Sequence, residues 1–163
     1  MIVKFLFSSF VAFLVYIMLV GSLGFDELII GLVISLAVGY LTKDLLVKNE
    51  KKVLSPTRWF YAALYIVVYW FYFEVQAHSD VVKRIFTMKF KPGIVRVPYK
   101  LKSDFGVISV ANSITNTPGT VVVDMDERRR YYYVHWINVI SPKEEVCHEN
   151  INAGFEKYIR RFL

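Results

Sequence analysis

Three long apolar segments dominate the first half of the chain. No charged residue lies between Phe5 and Phe25, between Leu28 and Thr42, or between Trp59 and Phe73. A helix needs about 20 apolar residues to cross a bilayer core, so segments of this length predict membrane helices. Farther along, the apolar runs are only as long as strands. The pattern therefore predicts membrane helices over 1–91 and a small soluble domain over 92–163.

The first two segments predict a helical hairpin. The outline of a signal peptide is present, but a second apolar segment follows within a few residues, which favours two spans at about 3–23 and 26–46. In the second span, small residues recur every four positions on one helix face: Gly31, Ser35 and Gly39. Such a face lets a neighbouring helix approach closely. It either packs inside the hairpin or docks a helix of another subunit.

Basic residues set the expected orientation of the hairpin. The tip, Gly21–Glu27, contains no lysine or arginine, whereas the opposite ends are basic. The basic residues at those ends are Lys4, Lys43, Lys48, Lys51, Lys52 and Arg58. Because short loops rich in lysine and arginine stay inside the cell, both ends of the hairpin are predicted to be cytoplasmic.

The third segment conflicts with this rule if it crosses the membrane. Seven basic residues between Lys83 and Lys102 would then lie outside. A polar-edged stripe runs along the same segment at helical spacing: Tyr61, Tyr65, Tyr69, Tyr72, Gln76, Asp80 and Lys83. We interpret Pro56–Met88 as one helix along the cytoplasmic face of the cell membrane, which makes the C-terminal domain cytoplasmic. A third span with its tyrosines turned toward protein is the alternative.

The pattern of apolar and polar residues in the C-terminal part predicts the element order β-α-β-β-α. Strands are expected at 94–98, 120–126 and 131–138. A helix capped by Ser103 follows the first strand, and a last helix starts at Ser141 with Glu144 closing a capping box. The predicted fold class is a membrane α-helical N-terminal half with a small α+β C-terminal domain, which is marginally stable alone.

Composition and charge narrow the expected partners. Hydrophobic residues make up 55% of the chain, too many for a soluble domain of this size. The net charge of +6 is concentrated in residues 59–103, which hold seven basic and two acidic residues. Anionic lipid headgroups explain that position better than nucleic acid does. The single cysteine, Cys147, excludes an internal disulfide and metal sites built on several cysteines.

Few residues are candidates for catalysis, metal binding or ion transport. The chain has no nucleotide-binding, nucleophile-elbow or zinc-protease motif, so we predict no catalytic site, no metal site and no cofactor. Asp124 and Asp126 share a strand face and suggest either a cation site or a solvated turn. Glu74 ends an apolar run and needs a partner or a role there, or else lies at headgroup level paired with a lysine. The predicted spans carry no buried set of acidic residues and lysines with which to move ions alone.

Several short motifs resemble a known family. The stretch 112–120, Asn-Ser-Ile-Thr-Asn-Thr-Pro-Gly-Thr, is followed by Val-Asp at 123–124 and Tyr-Val-His-Trp at 133–136. Together with Pro-Gly-Ile at 92–94, these are similar to the E subunit of Mrp-type multisubunit Na+/H+ antiporters. The resemblance implies structural roles for Thr115, Thr117, Pro118, Gly119, Thr120, Asp124 and His135. The aromatic run at 131–133 departs from the family pattern.

The resemblance implies an accessory membrane subunit that supports assembly and ion transport and has other subunits as partners. Similar subunits occur in archaeal respiratory complexes of the membrane-bound hydrogenase type, which couple redox chemistry to Na+ or H+ transport. That setting is the first alternative. A stand-alone membrane-anchored domain that binds lipid or a soluble partner is the second.

Overall fold

The structure is a computed structural model that describes residues 1–47 and 49–163. It divides into two compact units, Met1–Ser55 and Pro56–Leu163. Lys48, one of the basic residues used above for orientation, lies outside the described residues. The boundary between membrane part and soluble domain at 91/92 stays a prediction.

The first unit is a helical hairpin. Helix α1 spans Ile2–Val20 and α2 spans Phe25–Leu46, and a short helix α3 follows at Glu50–Val53. Helix α1 ends where Gly21 adopts a left-handed φ of 67° and donates its backbone N–H to the Ile17 carbonyl. Both helices are long and apolar enough to cross a membrane, as is a third helix, Pro56–Thr87, in the second unit. The predicted hairpin is confirmed to within a few residues.

The small residues of α2 pack against α1. Gly31, Ser35 and Gly39 are buried. A Cβ atom on Gly39 would lie 2.6 Å from the Cα atom of Ser9, so only glycine allows the helices to come this close. A Cβ atom on Gly31 would lie 2.5 Å from the ring of Tyr16. The structure shows this face packed inside the hairpin. Docking of another subunit's helix on it stays a prediction.

The second unit begins with a continuous helix of 32 residues, Pro56–Thr87, which we call the long helix. It comprises α4 (Pro56–Val68), a π-helical segment (Tyr69–Phe73) and α5 (Glu74–Thr87). On an α-helix, each residue is rotated by about 40° around the axis relative to the residue four positions earlier. The wider π turn offsets part of this rotation, so side chains four apart stay closer to one side of the helix. The predicted single helix from 56 to 88 is confirmed.

A three-stranded antiparallel sheet follows the long helix. Strands β1 (Gly93–Pro98), β2 (Thr120–Asp126) and β3 (Tyr131–Trp136) have the order β1-β3-β2. Inward side chains of the sheet join residues of α6 (Asp104–Asn116), α7 (Glu144–Ile151) and α8 (Ala153–Ile159) in one core. The predicted α+β order is therefore confirmed, with the last helix divided in two.

Two details of the C-terminal domain correct the sequence prediction, and one confirms it. Ser103 caps α6 as predicted, accepting a 3.0 Å hydrogen bond from the N–H of Gly106. Ser141 does not cap α7: the helix begins at Glu144, and the Ser141 hydroxyl accepts from the N–H of Lys143. The last helix is broken at Asn152, whose φ is −120° and whose side chain bonds elsewhere in the domain.

Candidate subunit interface

The long helix and the C-terminal domain share a core. Tyr65, Tyr69 and Phe73 lie on one side of the long helix and pack against the buried cluster of the domain. The rings of Phe73 and Phe155 are 4.7 Å apart, and a Cβ atom on Gly154 would lie 2.7 Å from the Phe73 ring. Burying an aromatic ring contributes about 1.5–3 kcal/mol, so these contacts strengthen a domain that is small by itself.

The family motif forms the turn between α6 and β2. Gly119 has a φ of 96°, a conformation that side chains other than glycine rarely adopt, and its carbonyl accepts a 2.8 Å hydrogen bond from Ile137. The Thr120 hydroxyl donates to the Ile114 carbonyl at 2.7 Å, and the Thr117 hydroxyl donates to Ser113. These bonds satisfy carbonyls at the end of α6 and lock the turn against the domain's own sheet.

Two further motif residues border this turn. Thr115 accepts a 3.2 Å hydrogen bond from the N–H of Val122, which lies on the edge strand β2. A partner for that N–H reduces the tendency of an open edge to pair with other strands. Pro118 lines a cleft of about 850 Å³ together with Gln76, Asp80 and other residues of α5.

The remaining motif residues lie on the outer sheet face, the side of the sheet turned away from the core. Strand alternation and the pairing register place several side chains there, among them Ile94, Arg96, Val121, Asp124, Asp126, Tyr131, Tyr133 and His135. His135 is paired with Ile94 on one side and Val121 on the other, and all three are exposed. An exposed mixture of apolar and polar side chains is suited to contact with another protein.

A register shift between Val122 and Asp124 shapes this face. Asp124 is exposed, faces Tyr133 across the strands, and accepts a 2.7 Å hydrogen bond from the N–H of Met125. Asp126 instead accepts a bond from the N–H of Arg129, as in a solvated turn. Among the described residues no three His, Cys, Asp or Glu side chains lie close enough together to hold a metal ion.

The aromatic run at 131–133 alternates between the two sides of the sheet. Tyr132 is fully buried and donates its hydroxyl to the Val107 carbonyl at 2.8 Å, and burial raises its pKa. Tyr131 donates to Glu144, and this bond to a carboxylate raises the pKa of Tyr131. Arg96 also pairs with Glu144, at 2.7 Å. Tyr132 therefore packs in the core, whereas Tyr131 and Tyr133 lie on the outer sheet face.

Glu74 lies on the long helix immediately after the π segment. It is 8% exposed, and its carboxylate oxygen is 3.3 Å from Nδ1 of His78, one turn further along. The nearby partner in the structure is thus a histidine. A functional role for Glu74 stays a prediction.

A buried carboxylate that the sequence analysis does not single out connects α8 to the segment after β1. Glu156 is 2% exposed. One of its oxygens accepts from the backbone N–H of Lys100 at 3.0 Å and from Asn152 at 3.1 Å. The other lies 3.4 Å from Arg160 and 3.7 Å from His148. The spacing of 152, 156 and 160, four residues apart on one helix face, is the signal that could have indicated it.

Cys147 provides a simple check on the domain. Its thiol is fully buried and donates to the Ser141 carbonyl, and burial raises its pKa. Because the thiolate is the reactive form, a maleimide at pH 7 should leave folded Cys147 unmodified and label it only after denaturation. Mass spectrometry of the intact protein measures this, with Glu145→Cys as an exposed control. Rapid labelling of native Cys147 would show that the domain is more open than described.

The hairpin and the C-terminal domain indicate the class of protein. An apolar hairpin long enough to cross a bilayer is followed by a small α+β domain that has an exposed face and that shows no metal cluster among its described residues. These features define a membrane protein with a small α+β domain.

The comparisons give the family. The family model described as Na+/H+ ion antiporter subunit matches residues 9–162, and the chain belongs to this family. It is 30% identical to the E1 subunit of a Na+/H+ antiporter from Staphylococcus haemolyticus, over 93% of this chain and 92% of that protein. It is 38% identical to the E subunit of a Na+/H+ antiporter from Alkalihalophilus pseudofirmus, over 52% of this chain and 54% of that protein.

A solved structure resembles the whole chain. One chain of the membrane-bound sulfane sulfur reductase, an archaeal respiratory membrane complex, superposes with a TM-score of 0.81 at 32% identity. The match covers 98% of this chain and 99% of that one. Hairpin, long helix and α+β domain are therefore shared elements.

Proposed function

We propose that the chain is an accessory subunit of an Mrp-type cation/proton antiporter module and supports its assembly and ion transport without a catalytic site of its own. The observation that carries this proposal is the family match over 9–162, which includes both hairpin and domain. The hairpin has no charged residue over most of its length, whereas ion and proton paths through a membrane require ionisable groups. Such a chain acts together with subunits that supply those groups.

The expected placement of the domain follows from charge. Both ends of the hairpin carry the basic residues, and short basic loops stay in the cytoplasm. With a long helix that does not cross the membrane, the C-terminal domain is then cytoplasmic, and its outer sheet face is directed at proteins inside the cell. We propose this face as the surface that binds another subunit, since it combines motif residues Asp124 and His135 with exposed Ile94 and Val121.

Co-purification from the native membrane tests both statements. The tagged chain, solubilised gently, should bring down antiporter-like membrane subunits. The double variant Ile94→Glu with Val121→Glu should lose most of them, because two unpaired charges would be buried at the contact. Ile108→Glu, at an exposed position on α6, is the matched control and should retain them.

The outcomes separate the two statements. A wild-type chain that purifies alone would argue for a stand-alone anchored domain and against the proposed function. Full co-purification of the double variant would contradict only the assignment of the outer sheet face.

A second setting is favoured by one observation, the match at 32% identity over essentially the whole of a chain from an archaeal respiratory complex. In that setting the same kind of subunit serves an assembly that couples redox chemistry to ion transport. The co-purifying proteins distinguish the two: antiporter-like subunits alone indicate an antiporter, and additional redox subunits indicate a respiratory complex.

A further inference from the structure

The contacts between the long helix and the domain extend along most of that helix. Near its start, the guanidinium of Arg58 donates to the Phe162 carbonyl. Near its end, a Cβ atom on Gly119 would lie 3.5 Å from Val81. Residues 58 to 81 cover about 35 Å at 1.5 Å per residue, which exceeds the ~30 Å thickness of the hydrocarbon core.

Polar groups of the domain lie beside the middle of the long helix. Lys157 lines the same cleft as Tyr72 and Phe73. Asn112 and Asn116 line a small pocket with Tyr69 and other residues near the helix centre. If the helix crossed the bilayer, these groups would be drawn toward the hydrocarbon, where charged and amide side chains are strongly disfavoured.

The other side of the long helix is apolar and uncovered. Its exposed large side chains recur at helical spacing from one end to the other: Trp59, Phe60, Ile66, Val67, Trp70, Phe71, Val75, Val82, Ile85 and Phe86. Phe71 is 78% exposed and Phe86 is 84% exposed. This surface is interrupted by the exposed polar residues His78 and Ser79. An apolar surface of this size nevertheless does not stay in water, so it is covered by lipid or by protein.

We infer that the long helix lies in the plane of the membrane and does not cross it, with its apolar face in the headgroup and acyl boundary of an anionic lipid surface and the domain clamped to its other face. Lipid is favoured as the occupant by charge, because residues 83–102, which include the end of the helix and continue beyond it, hold seven basic and no acidic residues. An interfacial helix with tryptophan and phenylalanine on its buried face matches this composition. The inference does not rest on the proposed function.

Depth measurements on the full chain in proteoliposomes of phosphatidylcholine and phosphatidylglycerol test the inference. Nitroxide labels at Phe60→Cys, Val67→Cys, Val75→Cys and Val82→Cys report depth through their relative accessibility to oxygen and to a water-soluble nickel chelate. A helix in the membrane plane gives similar depths at all four positions. A crossing helix gives depths that rise to a maximum at the two middle positions and fall again at both ends, because the positions cover about 33 Å along the helix.

Matched controls come from α2. Labels at Phe25→Cys, Val33→Cys and Leu41→Cys, all exposed on that helix, should show the depth profile of a true span. As a second readout, Thr57→Cys and Thr87→Cys should both react with an impermeant maleimide from one side of the membrane only, and from the same side.

Three other results would overturn the inference or its choice of lipid. Labelling of Thr57→Cys and Thr87→Cys from opposite sides, or a maximum of depth at Val67→Cys to Val75→Cys, would overturn the inference. Loss of oxygen accessibility at all four helix positions in the native assembly, but not in the isolated chain, would show that another subunit covers the face and would overturn lipid as the occupant.

Discussion

Replacing Gly39 with leucine should prevent α1 and α2 from packing and leave little protein in a monodisperse, detergent-soluble form. A Cβ atom at this position already lies 2.6 Å from backbone atoms of Ser9, so one of the helices must move. Ordinary overpacking costs about 1–3 kcal/mol, and a backbone clash in a two-helix contact belongs at or above the upper end.

The matched control is Ala37→Leu on the same helix. Ala37 is exposed, so a leucine side chain meets no neighbouring helix there. Size-exclusion chromatography after detergent extraction, with yield normalised to expression, compares the variants. A wild-type profile for Gly39→Leu would mean that the helices are farther apart than the structure shows.

The second large effect is expected at Glu156. Alanine there removes the acceptor of the Lys100 N–H and of the Asn152 amide, and it leaves Arg160 and His148 without their shared carboxylate. Leaving the Lys100 N–H and the Asn152 amide without an acceptor costs about 1–3 kcal/mol each. In a domain of this size each 1 kcal/mol lowers the melting temperature by about 4–8 °C, so a total cost of about 2 kcal/mol or more should lower it by at least about 8 °C.

Two further variants interpret the result. Glu156→Gln keeps an acceptor oxygen for Lys100 and Asn152 but removes the charge, so it should lie between wild type and alanine. Glu149→Ala changes an exposed carboxylate on α7 and should alter stability by no more than about 0.5 kcal/mol. Thermal unfolding followed by near-ultraviolet circular dichroism reports on the domain's tyrosines and Trp136. Equal melting temperatures for Glu156→Ala and Glu149→Ala would contradict the role assigned to Glu156.

The elements that could be predicted from the sequence are those whose signals are local. Uninterrupted apolar length predicts the hairpin, and strand alternation with intervening turns predicts β1, β2 and β3. The cap at Ser103 also depends only on neighbouring residues, since its hydroxyl meets the N–H three positions later. Because neighbouring residues determine the hairpin, the strands and this cap, the sequence alone is enough to predict them.

The features that escaped prediction depend on distant residues. A capping box at Ser141 and Glu144 was expected, but Glu144 is engaged by Tyr131 and Arg96 from the sheet. The break at Asn152 arises because its side chain donates to the Pro98 carbonyl, 54 positions away in sequence. Such contacts leave no periodic pattern in the sequence.

In the candidate interface, too, some features depend on neighbouring residues and others on distant ones. The motif at 115–120 predicted a structural turn, and hydrogen bonds within the domain account for it. The exposure of Asp124 and His135 on one face required the register of β2 and β3, including its shift at Val122/Asp124. Glu156 was passed over because an acidic residue on an amphipathic helix usually faces water.

The shared core of the long helix and the domain also constrains how the protein is made. Tyr65, Tyr69 and Phe73 are synthesised well before Phe155 and Tyr158, with which their rings pack. The early aromatic side chains therefore emerge from the ribosome without their partners. The domain can complete its core only after the segment around α8 has been translated.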